Sequence, residues 1–209
     1  SEDQTAEVQP GFMAQVRAIL NVLPAYTWYG TPSGSLTFVN KRQADFLGVP
    51  KDHPLRFGID IGAQWDDWIP LLHPDEHEEA RKYWSNCLRT GEGSEHNYRV
   101  CDAQGNYRWF HTRAEPLRAS DGTLLLWIGV NLDIEELMCV QEALRESERS
   151  ARSAIDGIAG LVSVLAPNGE LETANRQLLE YFGRSLQWIK NWGTNDAVHP
   201  EDLPRVVEF

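Results

Sequence analysis

The chain has 209 residues, 42% of them hydrophobic, and its 8 Trp, 6 Tyr and 7 Phe supply enough apolar side chain for a packed core, which excludes wholesale disorder. Its 19 Lys and Arg stand against 31 Asp and Glu, and the resulting net charge of −12 repels phosphate backbones and anionic lipid. Nucleic acid and direct membrane contact are therefore disfavoured.

The first quarter of the chain predicts a helix, a hairpin and a second short helix. Apolar residues recur at helical spacing until Pro24, two apolar runs flank a turn at residues 31–34, and Asn40 and Gly48 fit the start and the end of a helix. The polar residues 1–10 predict a frayed end. The predicted elements are a helix over 12–23, strands over 24–30 and 36–39, a helix over 40–48 and a loop over 49–64.

The next segment predicts one long helix and three strands. A one-sided apolar stripe starts after Pro74 and ends at Gly91. The stripe consists of Ala80, Tyr83, Trp84, Cys87 and Leu88. Clusters of Asp and Gly then separate three apolar and aromatic runs, which is typical of antiparallel hairpins. The runs cover residues 94–101, 106–116 and 123–132. This order of elements predicts an α+β domain with one antiparallel sheet.

The last predicted strand has apolar residues at both its odd-numbered and its even-numbered positions, so both faces of the sheet should be covered. Strict alternation places Leu124, Leu126, Ile128 and Val130 on one side and Leu125 and Trp127 on the other. The helices of the middle segment can cover one face, and the helix over 12–23 is the candidate for the other.

A heptad pattern follows the last strand. The positions at alternating steps of three and four are Leu137, Val140, Leu144, Ser147, Ala151, Ala154 and Ile158. Charge pairs Glu142–Arg145 and Glu148–Arg152 would support the exposed side of this helix. The pattern predicts a dimer seam made by Leu137, Val140, Leu144 and Ala151. A single helix that packs one face on its own domain is the alternative.

An internal repeat links the two ends of the chain. Residues 34–48 align without gaps on residues 169–183 at an offset of 135, and the segment 73–75 finds its counterpart at 199–201. Ordered matches with a single gap, placed in a loop, predict two copies of one domain. The second copy ends before counterparts of the last three strands, so residues 160–209 are expected to be poorly ordered or completed by another molecule.

Residues 73–77 match the H-x-x-E-H pattern of one zinc hydrolase class, in which two His bind the metal. Pro74 fits best as the first helical residue, which leaves His73 outside the helix as a cap and separates it from His77. The second copy has Leu203 where the first has His77, so the repeated feature is the helix start. A zinc hydrolase using His73 and His77 remains an alternative function.

Other catalytic motifs are missing from the sequence, which has no G-x-S-x-G elbow, Walker loop or G-x-G-x-x-G fingerprint. The cysteines Cys87, Cys101 and Cys139 are too few for a disulfide framework and fit small core residues in a reducing cytoplasm. No apolar stretch approaches the roughly 18 residues of a membrane span.

Four segments together resemble the PAS family with its C-terminal PAC strands, in the subtype common in bacterial sensor histidine kinases. These segments are LTFVNKRQADFLG, LLHPDE, YRVCDAQGNYRWFHTRAEPLRASDG and WIGVNLDI. The resemblance covers about residues 23–134, and the run from residue 143 to 183 resembles the entry into a second PAS copy. It divides the chain into residues 1–23 (tail and amphipathic helix), 24–134 (PAS/PAC), 135–158 (linker helix) and 159–209 (truncated second PAS domain).

The resemblance implies a five-stranded antiparallel sheet with helices over one face, a ligand cavity between them and dimerisation through flanking helices. The candidate cavity residues are Trp28, Phe46, Tyr83, Cys87, Tyr98 and Trp109. Asp133 and Ile134 match the start of the family's signal-exit motif, whose usual third residue is Thr or Ser, where this chain has Glu135. Nothing matches the flavin-binding run of the family, and His77 lies only at the start of the long helix on which haem-binding members carry a His, so flavin and haem are both disfavoured.

The function predicted from these features is a cytoplasmic sensory and dimerisation region of a longer signalling protein, with a catalytic output domain elsewhere in the chain. The resemblance favours a histidine kinase of a two-component system, with a cyclic-dinucleotide enzyme or a chemoreceptor as other outputs. The fragment itself is predicted to catalyse nothing. A purely structural scaffold with a filled core, in which PAS copies only pair subunits, is the remaining alternative.

Overall fold

The computed structural model describes residues 10–193, 195, 197–202, 204 and 205. The chain divides into two compact units, residues 1–139 and 140–209. The helices and strands of the first unit are α1 Pro10–Val22, β1 Tyr26–Gly30, β2 Leu36–Val39, α2 Lys41–Phe46, α3 His77–Thr90, β3 Ser94–Cys101, β4 Tyr107–Arg118 and β5 Leu124–Asp133. The helix α4, Glu135–Asp156, follows. The prediction of a frayed end at residues 1–10 and the comparison at Leu203 lie largely outside the described residues.

The sheet of the first unit has five antiparallel strands in the order β2-β1-β5-β4-β3, which confirms the predicted α+β class. The central pair β1–β5 brings Trp28 opposite Gly129. A Cβ at Gly129 would lie 2.0 Å from Cε2 of Trp28, so only glycine lets the indole cross the neighbouring strand. The first and last parts of the domain are thereby joined at the centre of the sheet.

Both faces of this sheet are covered, as the two apolar parities of β5 predict. On one face, Trp84 and Cys87 of α3 pack with Trp127 of β5. On the other face, Leu20 of α1 packs with Phe38 of β2. Full burial of one large apolar side chain contributes roughly 1.5–3 kcal/mol, so these two layers supply much of the driving force for folding.

The prediction of which β5 residues share one face of the sheet was wrong for Leu124, the first residue of the strand. Leu124 packs in the cluster of Trp127, whereas Leu126 packs on the α1 side. The register shifts between Leu117 and Arg118 of β4, because β5 accommodates an extra residue there. A bulge of this kind changes the parity of the strand, and an alternating apolar pattern carries no mark of it.

Three short 3-10 helices interrupt the long connection between α2 and α3. They cover Pro54–Arg56, Ile69–Leu71 and Pro74–Glu76. The first lies inside the segment predicted to be plain loop, where His53 accepts a hydrogen bond from the Leu55 amide. The second brings Ile69 into the core, where it is fully buried.

The second unit contains a two-stranded antiparallel sheet, β6 Ser163–Leu165 and β7 Leu171–Ala174, and the helices α5 Arg176–Phe182 and α6 Leu186–Lys190. Its small core comprises Leu171, Ala174, Leu178 and Ile189. Leu161, Leu165 and Tyr181 are exposed. The expectation that another molecule completes this unit stays a prediction. Across the described residues, no helix has the length and apolarity to cross a membrane.

Candidate functional site

A cavity of about 80 Å³ lies between the sheet and the helical segments of the first unit. Its walls come from β1, β2, α2, β3, β4, β5, α3 and the segment 68–72. The lining residues are Trp28, Gly34, Leu36, Val39, Gln43, Leu47, Trp68, Leu71, Leu72, Trp84, Tyr98, Val100, Thr112 and Asn131. The lining is uncharged and mostly apolar, as in sites that enclose small organic molecules.

A chain of side-chain hydrogen bonds runs along the wall of this cavity. Trp28 Nε1 donates to Asn131 Oδ1 at 3.3 Å, and Asn131 Nδ2 donates to Gln43 Oε1 at 3.0 Å. The chain therefore connects β1, β5 and α2 through groups that a bound molecule could contact. Asn131 and Gln43 were not predicted, although an asparagine within the apolar run of β5 is a sequence signal of a buried polar contact.

The same network continues to Asn40, the N-cap of α2. Asn40 Oδ1 accepts hydrogen bonds from the amides of Gln43 and Thr27, and its Nδ2 donates to the carbonyls of Leu20 and Ala25. Only 1% of Asn40 is exposed, so these bonds are shielded from water. Asn40 thus joins the cavity wall to the C-terminal end of α1.

A second, smaller cavity of about 30 Å³ shares walls with the first. Its lining residues are Trp28, Trp68, Tyr83, Trp84, Ser94, His96, Tyr98, Thr112 and Ala114. Two buried nitrogen atoms in this lining, Trp84 Nε1 and His96 Nε2, have no hydrogen-bond partner among the described residues. Buried polar atoms without partners are rare in folded proteins and call for an explanation at each site.

Two titratable groups of this cavity, Tyr98 and His96, have shifted pKa values, and burial is the largest cause of both shifts. It raises the pKa of Tyr98. It lowers the pKa of His96, against the attraction of Glu79 and Glu95 and together with the repulsion of His111. Both groups are therefore neutral near pH 7.

We expect His96 to titrate below its ordinary pKa of 6.5, because burial disfavours the imidazolium ion. In the unfolded chain the imidazole of His96 takes up a proton near pH 6.5, whereas in the folded protein it stays neutral at that pH. The stability of the unit should therefore fall as the pH drops below 6.5, until the folded ring is also protonated. Imidazole NMR signals, assigned with His96→Gln, give the pKa directly, and a value at or above 6.5 would contradict the expectation.

The structure brings two of the six predicted cavity residues, Trp28 and Tyr98, to the larger cavity. Tyr83 lines the smaller cavity, and Cys87 is buried beside Trp84 with its Sγ 3.1 Å from Ser94 Oγ.

Phe46 and Trp109, like Cys87, lie outside both linings. Phe46 packs edge-on against Tyr26 and Phe110, with ring centroids 5.5 and 5.1 Å away. Trp109 has the opposite strand parity to Phe110 and lies against the Arg99 guanidinium at 5.1 Å. For Trp109 the aromatic type suggested a wall, while the pleat of β4 directs it away from the core.

The predicted signal exit forms a compact polar cluster at the end of β5. Asp133 pairs with Arg108 at 2.9 Å and accepts a hydrogen bond from the Glu135 amide at 3.0 Å. Ile134 N donates to the Trp109 carbonyl, and Glu135 Oε2 accepts from the Trp109 amide at 2.7 Å. Glu135, which departs from the family motif, therefore makes a side-chain bond to the neighbouring strand.

His73 and His77 occupy the start of the long helix. His73 is the N-cap of the segment Pro74–Glu76, where its Nδ1 accepts from the Asp75 amide. His77 Nε2 donates to the Leu72 carbonyl at 2.9 Å. The prediction that Pro74 opens the helical segment and that His73 caps it is confirmed. The described part of the chain contains no group of three or more His, Cys, Asp or Glu that could hold a metal ion.

The predicted seam residues on α4 are exposed. Leu137, Val140 and Leu144 expose 54%, 61% and 59% of their surface, and Ala151 is also exposed. The predicted pair Glu142–Arg145 forms at 3.7 Å. The predicted Glu148–Arg152 pair is not formed among the described residues, and the other ion pair on this helix joins Glu146 and Arg149.

Comparison with known proteins finds the PAS fold in part of this chain. The family model described as the PAS fold matches residues 58–131. A solved structure of an RNA-binding light-oxygen-voltage receptor superposes with a TM-score of 0.51 at 14% identity, over 71% of this chain and 41% of that one. At this identity the likeness shows the fold alone.

Two curated relatives align along most of the chain. The uncharacterized protein y4lL of Sinorhizobium fredii is 31% identical over 89% of this chain and 21% of its own length. The peroxide stress-activated histidine kinase mak1 of Schizosaccharomyces pombe is 27% identical over 92% of this chain and 12% of its own length. The chain thus spans about a fifth or less of these relatives.

Proposed function

Because this chain contains a PAS domain, we propose that it is the sensory region of a longer signalling protein, which binds a small molecule and passes the signal to α4. Support comes from the uncharged cavity and from the kinase relative, which is far longer than this chain. The parent protein is a histidine kinase, and this region contributes sensing and pairing rather than catalysis. A second identical chain, joined through the flanking helices, and the output domain are its macromolecular partners.

The observation that carries the proposal is the polar chain Trp28–Asn131–Gln43 in the cavity wall. Each of its three side chains lies on a different element, so a molecule that competes for one bond alters the contacts among β1, β5 and α2. Such a change biases an equilibrium only if the molecule prefers one arrangement. Because Trp28 Nε1 can only donate, the direction of these hydrogen bonds is fixed, and a bound molecule acts by taking the place of one partner.

The route from the cavity to α4 is short. Asn131 lies two residues before Asp133, whose carboxylate holds the first turn of α4 through the Glu135 amide. Glu135 in turn holds the backbone of β4 at Trp109. A shift of β5 against β4 therefore changes the start of α4 directly.

We extend the proposal to the domain plan, with a PAS/PAC domain at 24–134, a linker helix at 135–158 and a second, partial PAS copy at 159–209. Its support is a recurring set of hydrogen bonds. Asn175 caps α5, accepts from the amides of Val162 and Leu178, and donates to the carbonyls of Ile155 and Gly160. Every one of these partners lies 135 residues after the corresponding partner of Asn40.

We expect Gln43→Leu to accelerate hydrogen exchange at residues 133–139 by about fivefold, the equivalent of about 1 kcal/mol for one lost hydrogen bond. Among the described residues, no hydrogen bond joins Gln43 of α2 to α4, and its side chain bonds to Asn131 of β5, so an effect at α4 is expected to pass through β5. Hydrogen exchange followed by mass spectrometry on the full chain measures it.

The matched control is Leu36→Ala, which alters the same cavity without touching the polar chain and should leave residues 133–139 unchanged. In an Asp133→Ala background, which breaks the exit, Gln43→Leu should add no further change at these residues. Equal exchange in wild type and Gln43→Leu would refute the relay and favour a scaffold that only pairs subunits.

A further inference from the structure

We propose that the ligand of this site is a small uncharged molecule with a hydrogen-bonding polar end, held by Trp84 Nε1 and His96 Nε2, and an apolar body in the larger cavity. This inference rests on the proposed sensory function and specifies the chemistry of its ligand. It starts from two buried nitrogen atoms without hydrogen-bond partners among the described residues, on side chains that both line the smaller cavity. The two cavities are neighbours that share the walls Trp28, Trp68, Trp84, Tyr98 and Thr112, and we place one molecule across both.

The two nitrogen atoms define the polar end of the ligand. An indole N–H is a donor only, so Trp84 requires an acceptor such as a carbonyl or hydroxyl oxygen. A neutral imidazole nitrogen donates or accepts according to its tautomer, so His96 fits a carbonyl, hydroxyl or amide group. Trp84 exposes only 6% of its surface, and leaving its N–H unpaired costs on the order of 1–3 kcal/mol. A ligand acceptor at this position removes that cost.

The surroundings disfavour a charged ligand of negative sign. Neither lining contains a cationic side chain, and His96 is neutral near pH 7. Glu79 and Glu95 act on His96 from α3 and β3, and the chain as a whole carries −12. A carboxylate placed here would lose its hydration without gaining a counter-charge.

The size of the cavities limits the ligand. A cavity of about 150 Å³ holds benzene, and these two cavities measure about 80 and 30 Å³. The ligand is therefore no larger than benzene, which fits a short chain with one polar group. Four aromatic walls surround the apolar body. They are Trp28, Trp68, Trp84 and Tyr98.

The test compares three probes of defined chemistry: butyramide, butyrate and xenon. Butyramide and butyrate have the same number of heavy atoms but differ in charge, and xenon reports an apolar cavity without any hydrogen bond. Indole N–H signals in ¹H–¹⁵N spectra of the full chain follow binding, with Trp84 assigned by Trp84→Phe. We expect butyramide to shift the Trp84 signal and to bind at least tenfold more tightly than butyrate.

Two variants distinguish the hydrogen bond to Trp84 from simple entry into the cavity. Trp84→Phe should weaken butyramide at least fivefold and leave xenon binding intact, whereas Trp109→Phe, on the other face of β4, should change neither. If xenon enters the cavity but butyramide and butyrate bind equally well, the proposed preference for an uncharged polar end is wrong. The proposed binding of a small molecule in the cavity is then unaffected. Exclusion of all three probes would overturn both this inference and the small-molecule part of the proposed function.

Discussion

Replacing Asn40 by alanine is expected to lower the free energy of unfolding of the first unit by about 4 kcal/mol, since a buried polar hub is lost. The substitution removes the acceptor of two buried amides, at Thr27 and Gln43, and the donor to two carbonyls, at Leu20 and Ala25. Native-state hydrogen exchange of peptides from β1, β2 and α2 measures the change. The expected acceleration is about 1000-fold in the most protected amides.

Two matched variants serve as controls for Asn40→Ala. Asn21→Ala removes one exposed bond, to the Lys41 amide, and should cost less than about 1 kcal/mol. Asn175→Ala removes the equivalent buried hub of the second unit and should accelerate exchange in β6, β7 and α5 while leaving β1 and β2 unchanged. A loss below about 1.5 kcal/mol for Asn40→Ala would show that water or a local shift replaces its partners.

The Asn40 hub illustrates how far the sequence determines the fold. Its position between an apolar strand and a helical segment identifies it as a cap, and the repeat at an offset of 135 marks Asn175 as its equivalent. Capping is local, so sequence patterns contain it. The bonds from Asn40 Nδ2 to Leu20 and Ala25 are tertiary, because they depend on where α1 ends relative to β1.

The candidate site was predicted less completely, and the reasons are geometric. The cavity wall includes Trp68, Leu71 and Leu72, which come from a connection without regular periodicity. Aromatic type drew attention to Phe46 and Trp109, but strand parity and local packing decide which rings face the cavity. The unpartnered state of Trp84 Nε1 emerges only when all neighbours are placed.

The exposed seam residues of α4 predict how two chains assemble. Leu137, Val140 and Leu144 are each more than half exposed and recur at heptad spacing. Apolar residues repeated in this way on a helix are typical of a helix–helix interface rather than of a solvated surface. The paired charges Glu142–Arg145 and Glu146–Arg149 lie on the side of the helix opposite the seam and leave the seam apolar.

We expect Leu144→Arg to convert the chain from a dimer to a monomer, because one charge per helix would have to be buried in the apolar seam. A cost of about 3 kcal/mol or more weakens the dimer at least about 100-fold. Sedimentation equilibrium should give twice the chain mass of 23.7 kDa for the wild type and the single mass for the variant at the same micromolar concentration.

Ser153→Arg is the control, since it adds the same side chain at a position of α4 outside the seam. It should remain dimeric with an unchanged dissociation constant. A wild-type chain that sediments as a monomer at concentrations of about 100 µM would refute pairing through α4 in this region. A dimer that survives Leu144→Arg would place the contact elsewhere, with α1 as the next helix to test, because Phe12, Ile19 and Val22 on it are also exposed. Only loss of the dimer in Leu144→Arg together with its survival in Ser153→Arg would make the heptad seam the element through which two sensory regions pair.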